Sequence, residues 1–175
     1  EQQVSATYFS AEFNATERLK AVLGVRSEGY VQFYTGENQS GDNVYDRELI
    51  IDELDFFPSA NLIYEVTDQA NLRASYSRTT ARPSFKEASI AQIFDPVSNQ
   101  TFIGNAFGFF DSSGALVFDP IRPSYINNFD LRYELFREKG QMIAVSGFYK
   151  SFQDPIEVTF IPNTDPAAPQ VTVAN

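Results

Sequence analysis

The densest group of side chains that could bind a ligand is an oxygen-rich segment near residue 40. Residues 36–43 and the nearby Asp46 supply carboxylate, amide and hydroxyl oxygens, which are the ligands that Ca²⁺ prefers in proteins. Their spacing does not follow the EF-hand loop, and a solvated acidic loop explains the same composition. We therefore predict no metal site, while a Ca²⁺ site in residues 36–46 stays open as the alternative.

Residues suited to bond-making chemistry are scarce in this chain. It contains no His and no Cys, which removes the commonest general base, the thiol nucleophile, thiolate metal ligands and disulfides. Neither a Gly-x-Ser-x-Gly motif nor a phosphate-binding glycine loop occurs. We therefore expect a protein that is not an enzyme, with no catalytic residue and no cofactor.

The composition narrows the class of protein further. The 175 residues are enough for about one domain, and 13 basic against 23 acidic residues give a formal charge of −10. A surface of this sign repels phosphate, so nucleic acid is not an expected partner. The 17 Phe and 9 Tyr residues are too many for a disordered acidic chain. A folded, aromatic-rich domain is indicated.

Hydrophobic residues alternate along the chain with a period of two, which is typical of β-strands. In the clearest segment, Phe129, Leu131 and Tyr133 alternate with Asp130 and Arg132. The pattern predicts strands near residues 3–13, 19–34, 56–66, 72–82, 125–136 and 141–152, with shorter pieces near 156–161 and 171–175. Uninterrupted apolar runs are far shorter than the roughly 20 residues of a membrane-spanning helix.

The alternation also predicts two different sheet faces. One face should be apolar and contain Leu19, Leu23, Leu62, Leu72, Tyr76, Leu131, Tyr133, Val145 and Tyr149. The opposite face should carry charges, with Arg26, Arg73, Asp130, Arg132 and Glu134 as the main examples. Burying so many charges in a dry core would cost several kcal/mol each unless they were paired. A water-filled barrel interior removes most of that cost, so we expect these charges to face a lumen.

Short and long connections alternate along the chain. The short ones are expected at residues 14–17, 67–70 and 137–140, and the long ones at 36–55, at 83–124 and after residue 153. Transmembrane β-barrels have this asymmetry, with short turns on one side and long outer loops on the other. About 11 residues at roughly 3.3 Å each, tilted by about 40°, rise about 27 Å, close to the apolar band of such barrels.

Aromatic residues and prolines fit the same arrangement. Pro58 and Pro83 lie at predicted strand ends, where a missing N–H does no harm. Two aromatic girdles are expected, one near the short turns and one near the long loops, containing Phe13 and Phe136 in the first and Tyr30, Phe33, Tyr34, Phe56, Phe57, Tyr149 and Phe152 in the second. The alternative from periodicity alone is a soluble β-sandwich, whose apolar face would be its core.

Four ordered segments carry a family resemblance. They are FPSANLIY at 57–64, LRASYSRTTARPSF at 72–85, NNFDLRYE at 127–134 and SGFYKSFQDPIE at 146–157. Together they resemble the C-terminal half of the barrel in TonB-dependent outer-membrane receptors. The resemblance implies an all-β, antiparallel up-and-down meander that belongs to a large, 22-stranded type of transmembrane barrel, with residues 1–175 as a partial barrel domain. It also implies that 171–175 begins a further strand.

The same resemblance implies a function and a set of partners. The expected function is energy-coupled uptake of a scarce nutrient, such as a ferric siderophore, across the outer membrane of a Gram-negative bacterium; cobalamin, haem and glycans also remain open. The implied partners are outer-membrane lipid, the receptor's own plug domain, the TonB energy-coupling complex and the nutrient. Two alternatives are a soluble β-sandwich that binds a ligand or a partner, and a small structural outer-membrane barrel.

The long loop after Pro83 is the predicted substrate region, because it is unusually rich in phenylalanine for a nominally exposed segment. The candidate substrate contacts are Phe94, Phe102, Asn105, Phe107, Phe109, Phe110 and Arg122. Two explanations are open: the phenylalanines line a ligand vestibule, or they hold the loop in the mouth of the barrel. The loop departs from the family pattern, since Gly104 and Asn105 are followed by Ala106 rather than proline.

Overall fold

The computed structural model describes residues 1–37, 42–110, 113–162 and 164–175. Its strands, in chain order, are β1 (Gln2–Asn14), β2 (Leu19–Glu37), β3 (Val44–Thr67), β4 (Ala70–Ala81), β5 (Gln92–Asp95), β6 (Gln100–Ile103), β7 (Phe109–Phe110), β8 (Leu116–Phe118), β9 (Ser124–Phe136), β10 (Met142–Gln153), β11 (Glu157–Phe160) and β12 (Gln170–Ala174). Among the described residues, no helix is long and apolar enough to cross a membrane.

The six long strands form one antiparallel sheet in the order β1-β2-β3-β4-β9-β10. Each strand therefore lies beside the long strand that precedes or follows it along the chain. The all-β antiparallel meander predicted from the sequence is confirmed. Within the described residues β1 and β10 form the two edges of this sheet and do not pair with each other.

Three short connections lie at one end of the sheet, which we call the turn end. After β1 the chain reverses with a hydrogen bond from the Ala15 N–H to the Leu19 carbonyl. After β3, the Gln69 N–H donates to Thr67 Oγ1 over 3.3 Å. Between β9 and β10 lies a 3-10 turn, Glu138–Gly140, in which Gly140 has a φ of 72°. The three predicted short turns are therefore present.

The register of the sheet confirms the predicted faces. Leu72 lies opposite Tyr64 on β3 and Tyr133 on β9, and Tyr133 lies opposite Val145 on β10. Because successive side chains point to opposite sides of a sheet, these pairs place all nine predicted apolar residues on one face. We call this the apolar face. Its side chains are solvent-accessible, with Leu131 53% and Val145 68% exposed.

The other side of the sheet is the polar face. It carries the five predicted charges, Arg26, Arg73, Asp130, Arg132 and Glu134, which alternate with the residues of the apolar face. Tyr30 and Tyr34 also point to this side, since Tyr30 lies two residues beyond Glu28 and four beyond Arg26. Phe57, opposite Arg26, lies on this side too, as do Phe136 and Phe152, which keep the alternation of Glu134 and Ala144. The prediction of these five residues as members of a membrane girdle is therefore wrong. Tyr30 is only 2% exposed, because the chain after β4 covers it.

The predicted long loop at residues 36–55 is largely strand. β3 begins at Val44, twelve residues before the predicted start, and it pairs with β2 out to Glu37. Shifts in register between Gln32 and Phe33 and between Tyr34 and Gly36 mark bulges in this hairpin. The backbone pairing of the two adjacent strands persists here although acidic side chains lie on both faces. This end of the sheet, opposite the short turns, is the loop end.

The chain beyond the loop end forms a second sheet, in the order β11-β12-β6-β5, and a small β7-β8 hairpin. The prediction of an irregular loop from 83 to 124 is therefore wrong, and so is the prediction that 171–175 begins a barrel strand. β12 pairs in parallel with β6, with Val171 opposite Phe102. An apolar core explains the pairing, since it joins Ala88, Ile121 and Val173, with Phe102 and Ile156 packed against it.

Candidate functional site

Residues 82–123 and 154–175 together form a cap at the loop end of the sheet. Phe107 of the cap stacks on Tyr45 of β3, with ring centroids 4.8 Å apart and planes 18° apart. Its edge also meets Tyr34 of β2 at 6.2 Å. Tyr34 and Tyr45 are themselves in edge contact at 5.9 Å. The three rings fix the cap against the β2–β3 hairpin on the polar face.

Ionic contacts secure the point where the cap leaves the sheet. Arg82 pairs with Glu28 of β2, and its guanidinium lies 4.2 Å from the centre of the Tyr30 ring. Arg26 donates from Nε to the same carboxylate over 2.8 Å. The Tyr30 hydroxyl donates to Gln32 Oε1 over 2.7 Å, and the Gln32 side chain is completely buried. A desolvated charge is tolerated here because Glu28 has two guanidinium partners.

A second polar group lies beside the first. The Tyr125 hydroxyl is 2.8 Å from Asp55 Oδ1 and 3.0 Å from Glu53 Oε2, and Arg78 lies over the Tyr125 ring at 4.4 Å. Burial raises the pKa of Glu53, in the part of β3 beyond the segment that was predicted to cross the membrane. The start of β9 is thereby joined to β3, although β4 lies between them in the sheet.

Asn105 organises the interior of the cap. Its side-chain amide donates to the carbonyls of Asp119, at 2.7 Å, and Val173, at 2.9 Å. Its Oδ1 accepts a hydrogen bond of 2.9 Å from the Gly108 N–H. The residue is 1% exposed. Asn105 therefore joins both parts of the cap and shapes the turn that presents Phe107.

A cavity of about 250 Å³ lies between the cap and the β2–β3 hairpin. It is lined by Asn43, Tyr45, Ile90, Gln92, Ile103, Gly104, Phe107, Gly108 and Phe109. Gly104 is required in its wall, since a Cβ there would lie 2.5 Å from the Lys86 carbonyl and 2.6 Å from that of Ser89. Gly108 has a φ of 85°, which disfavours other residues. Aromatic rings and amides thus meet in one recess that the backbone holds open.

The polar face has a separate charged group nearer the turn end. Arg73 and Arg132 are directly opposite each other on β4 and β9. Both approach Glu134, with each Nε 2.8 Å from a different carboxylate oxygen. The Arg132 contact is an ion pair without hydrogen-bond geometry, since that N–H is not satisfied. Beside this group lies a hollow of about 310 Å³, whose lining includes Asn61, Ser75 and Asp130.

A family model described as TonB dependent receptor-like, beta-barrel matches residues 1–175. The chain belongs to this TonB-dependent receptor family. Its members are receptors of the outer membrane of Gram-negative bacteria, and the family indicates nutrient uptake across that membrane. No curated protein matches the chain.

The receptor structure places the predicted substrate contacts in different surroundings. Phe107 and Phe109 line the cavity, and Asn105 lies behind them with its amide engaged inside the cap. Phe102 packs against the apolar core of the cap. Phe94 and Phe110 are exposed and are not among the lining residues. Arg122 is half-exposed and lies 3.3 Å from Asp119. The phenylalanines of the loop are therefore divided between the cavity wall, the core of the cap and the exposed surface.

Sequence reasoning missed three residues that shape this end of the receptor. Tyr45 and Gln92 line the cavity, and Arg82 fastens the cap to Glu28. Arg82 lay within a family segment, and its position just before Pro83 was the available signal. Tyr45 lay in a segment that was interpreted as loop, so its face could not be assigned. Gln92 lies in a four-residue strand, too short to show a period.

The structure describes only part of the oxygen-rich segment near residue 40. Within the part of the chain that the structure describes, no three His, Cys, Asp or Glu side chains are grouped to hold a metal ion. Residues 38–41, which contain much of the possible Ca²⁺ loop, lie outside the described residues. A local carboxylate contact occurs instead at the β5–β6 turn. There the Ser98 hydroxyl donates to Asp95 over 2.7 Å and holds the pKa of that carboxyl below its usual range.

A hollow larger than the cavity at the cap lies elsewhere on the sheet. It measures about 600 Å³ and lies along the apolar face, where Leu72, Leu131, Tyr133, Val145 and Tyr149 are among its lining residues. It surrounds Gly147, at which an added Cβ would meet no atom within 4 Å. It lies among the exposed side chains of the apolar face, so we do not treat it as a candidate ligand site.

Proposed function

We propose that the chain forms part of a receptor that takes up a nutrient across the outer membrane, with the apolar face toward lipid and the polar face toward the barrel interior. The observation that carries this proposal is the family match together with a sheet whose two faces have opposite chemistry. The receptor binds its nutrient at the cap and passes it along the polar face. Such transport requires no bond-making residue, so we propose no enzymatic activity.

The apolar face supports the membrane orientation. Soluble monomers seldom expose contiguous apolar patches larger than a few hundred Å². Here Tyr76, Phe129 and Tyr149 lie side by side across three strands, with successive ring centroids 4.9 and 6.3 Å apart. Phe129 is 46% and Tyr149 65% exposed. A row of this kind suits the interface between lipid headgroups and hydrocarbon.

The same face argues against a soluble β-sandwich. In a sandwich this surface would pack on a second sheet and form the core. Within the described residues, the cap contacts the polar face instead, through Arg82 and Phe107. A small closed barrel is also disfavoured, because β1 and β10 are sheet edges with no pairing between them.

The polar face supports contact with water and with a plug domain. Arg73 and Arg132 are each nearly half-exposed beside the hollow of about 310 Å³. Charges in this arrangement are stable against water or a polar protein surface, and unfavourable against hydrocarbon. We therefore propose the receptor's own plug domain as the neighbour of this face. Energy for uptake would come from the TonB complex acting on that plug.

Uptake by intact cells tests the proposal. A strain that produces the full receptor and a strain that lacks it would be offered labelled ferric siderophores, cobalamin, haem and neutral oligosaccharides. We expect one of these nutrients to accumulate only in the strain with the receptor, and accumulation to stop when a protonophore dissipates the inner-membrane potential. Equal accumulation in both strains, or uptake that resists the protonophore, would contradict the proposed function.

A further inference from the structure

We infer that the cavity between the cap and the β2–β3 hairpin binds one ring of a neutral saccharide, so that the nutrient is a glycan rather than an anionic metal chelate. The inference rests on the proposed uptake function and names the class of its substrate.

Aromatic rings form one side of the cavity. Phe107 and Tyr45 are stacked with their planes 18° apart, so each ring covers one face of the other and a ligand has access only to the outer faces and the edges. Phe109, also in the lining, is held by an edge contact with Phe118 at 6.2 Å. The faces of aromatic rings carry negative partial charge and attract the weakly positive C–H groups of a sugar ring. Such rings are a suitable platform for a pyranose.

Polar groups without charge complete the walls. The Gln92 side chain and the Tyr45 hydroxyl can donate and accept hydrogen bonds, as sugar hydroxyl groups require. The described lining residues include no Arg, Lys, Asp or Glu. A buried anion needs a cationic partner or several directed donors, since its desolvation is otherwise unfavourable. The walls therefore favour a neutral, hydroxyl-rich ligand.

The chain segment that supplies Asn43 and Tyr45 to the cavity wall is acidic. Residues 42–55 carry six carboxylates and one arginine, so their formal charge is −5, half of the −10 of the whole chain. Charge of one sign around a cleft repels ligands of the same sign and lowers their rate of association. Ferric catecholate complexes are anionic, so the negative potential of residues 42–55 would repel them before they reached the aromatic rings of the cavity. A neutral glycan would not be repelled.

The volume fits part of a longer ligand. At about 250 Å³ the cavity is somewhat smaller than the roughly 300–1,000 Å³ of sites for drug-sized molecules. It has room for about eight waters at roughly 30 Å³ each. One sugar ring has a size of this order, whereas cobalamin and haem are much larger. The remaining rings of an oligosaccharide would lie outside the recess.

Binding to the purified full receptor tests the inference. Isothermal titration would use maltohexaose, xylohexaose and chitohexaose as neutral probes, supported by an array of neutral glycans, and a ferric tris-catecholate complex as the anionic probe. We expect a neutral oligosaccharide to bind and the ferric complex not to bind. Phe107→Ala should weaken saccharide binding by about tenfold, because it removes one of the three aromatic rings that line the cavity.

Two further variants keep the test independent of folding. Gln92→Ala removes an exposed amide from the lining, so it should weaken binding while the cap stays intact. Phe110→Ala is the matched control, because it shortens an exposed phenylalanine of the same loop outside the lining, and it should leave binding unchanged.

Three outcomes would overturn the inference. They are binding of the ferric complex in place of saccharides, failure of every neutral glycan on the array, and saccharide binding that Gln92→Ala and Phe107→Ala leave unchanged. Energy-coupled uptake of an anionic chelate by intact cells would refute the glycan inference while the proposed uptake function stands. Absence of any receptor-dependent uptake would instead remove the proposed function itself.

Discussion

Asn105 donates a hydrogen bond of 2.9 Å from its side-chain amide to the carbonyl of Val173, 68 residues further along the chain. This bond joins the part of the cap between β4 and β9 to the part that follows β10. Two more contacts have the same effect: the Asn175 amide donates to the Arg122 carbonyl over 3.1 Å, and the Arg122 N–H donates to Asn175 Oδ1 over 2.8 Å. The two parts of the cap are therefore one folded unit.

Asn105→Ala should destabilise both parts of the cap together. The substitution leaves the carbonyls of Asp119 and Val173 and the Gly108 N–H without their present partner, at a cost of about 3 kcal/mol. Hydrogen exchange of the full receptor should show faster exchange in residues 82–123 and in 154–175. Gln153→Ala, at an exposed amide at the end of β10, is the control and should change neither. Faster exchange in only one part would contradict a shared unit.

Leu131→Arg should impair membrane insertion of the full receptor. Leu131 is exposed on the apolar face, and an arginine facing lipid near the middle of a barrel costs about 2–4 kcal/mol. Ala144→Arg is the matched control, because Ala144 lies opposite Glu134 on the polar face. The measurement is the free energy of unfolding from lipid vesicles in denaturant. Equal losses for the two variants would show that the assignment of faces is wrong.

Glu134→Gln should destabilise the polar face. Its carboxylate lies between Arg73 and Arg132, which are directly opposite each other, and like charges in that position repel. Because both arginines are nearly half-exposed, solvent screening limits the expected loss to about 1–2 kcal/mol. The urea midpoint of the full receptor should fall, and adding Arg132→Gln should restore part of it. If the second substitution lowers the midpoint further, repulsion between the arginines is not the cause.

Gly104→Ala should disrupt the cavity, because its Cβ would lie 2.5 Å from the Lys86 carbonyl and no flexible side chain can yield there. We expect saccharide binding to weaken at least tenfold and trypsin to cleave the cap faster. Gly147→Ala is the control, since its Cβ would meet no atom within 4 Å, and both measurements should match the unmodified receptor. Full binding by Gly104→Ala would mean that the wall of the cavity moves easily.

The six long strands could be predicted from the sequence because each has one apolar and one polar side. The first half of β3 could not. Residues 44–55 carry acidic side chains on both faces, so alternation of hydrophobicity disappears, and Pro58 suggested a strand end although it pairs with Val25 in mid-strand. Backbone hydrogen bonds to β2 determine the structure there, and such bonds do not require any alternation of hydrophobic and polar residues along the chain.

The candidate site was predicted only in part, for a related reason. Phe107 and Phe109 were identified because phenylalanine is unexpected in an exposed loop. Tyr45 of β3 lies beside them in the cavity wall. This contact forms only because the β2–β3 hairpin extends beyond the predicted strands. The pairing of β6 with β12 joins residues that are about seventy positions apart, such as Val171 and Phe102. Strands of four or five residues are too short for their hydrophobic pattern to predict such a pairing. Asn105 was predicted as a substrate contact, whereas its observed hydrogen bonds lie within the cap.

The shared core of the cap has a consequence for how receptors of this kind diversify. Ile121 comes from one connection and Val173 from another, yet they pack in a single cluster. A recombination event that replaced only one of the two segments would pack core residues from two different receptors against each other. Those residues had not been selected to fit together. The heritable module is therefore the pair of segments 82–123 and 154–175, and chimaeric receptors that exchange both segments preserve the interior that an exchange of either one would break.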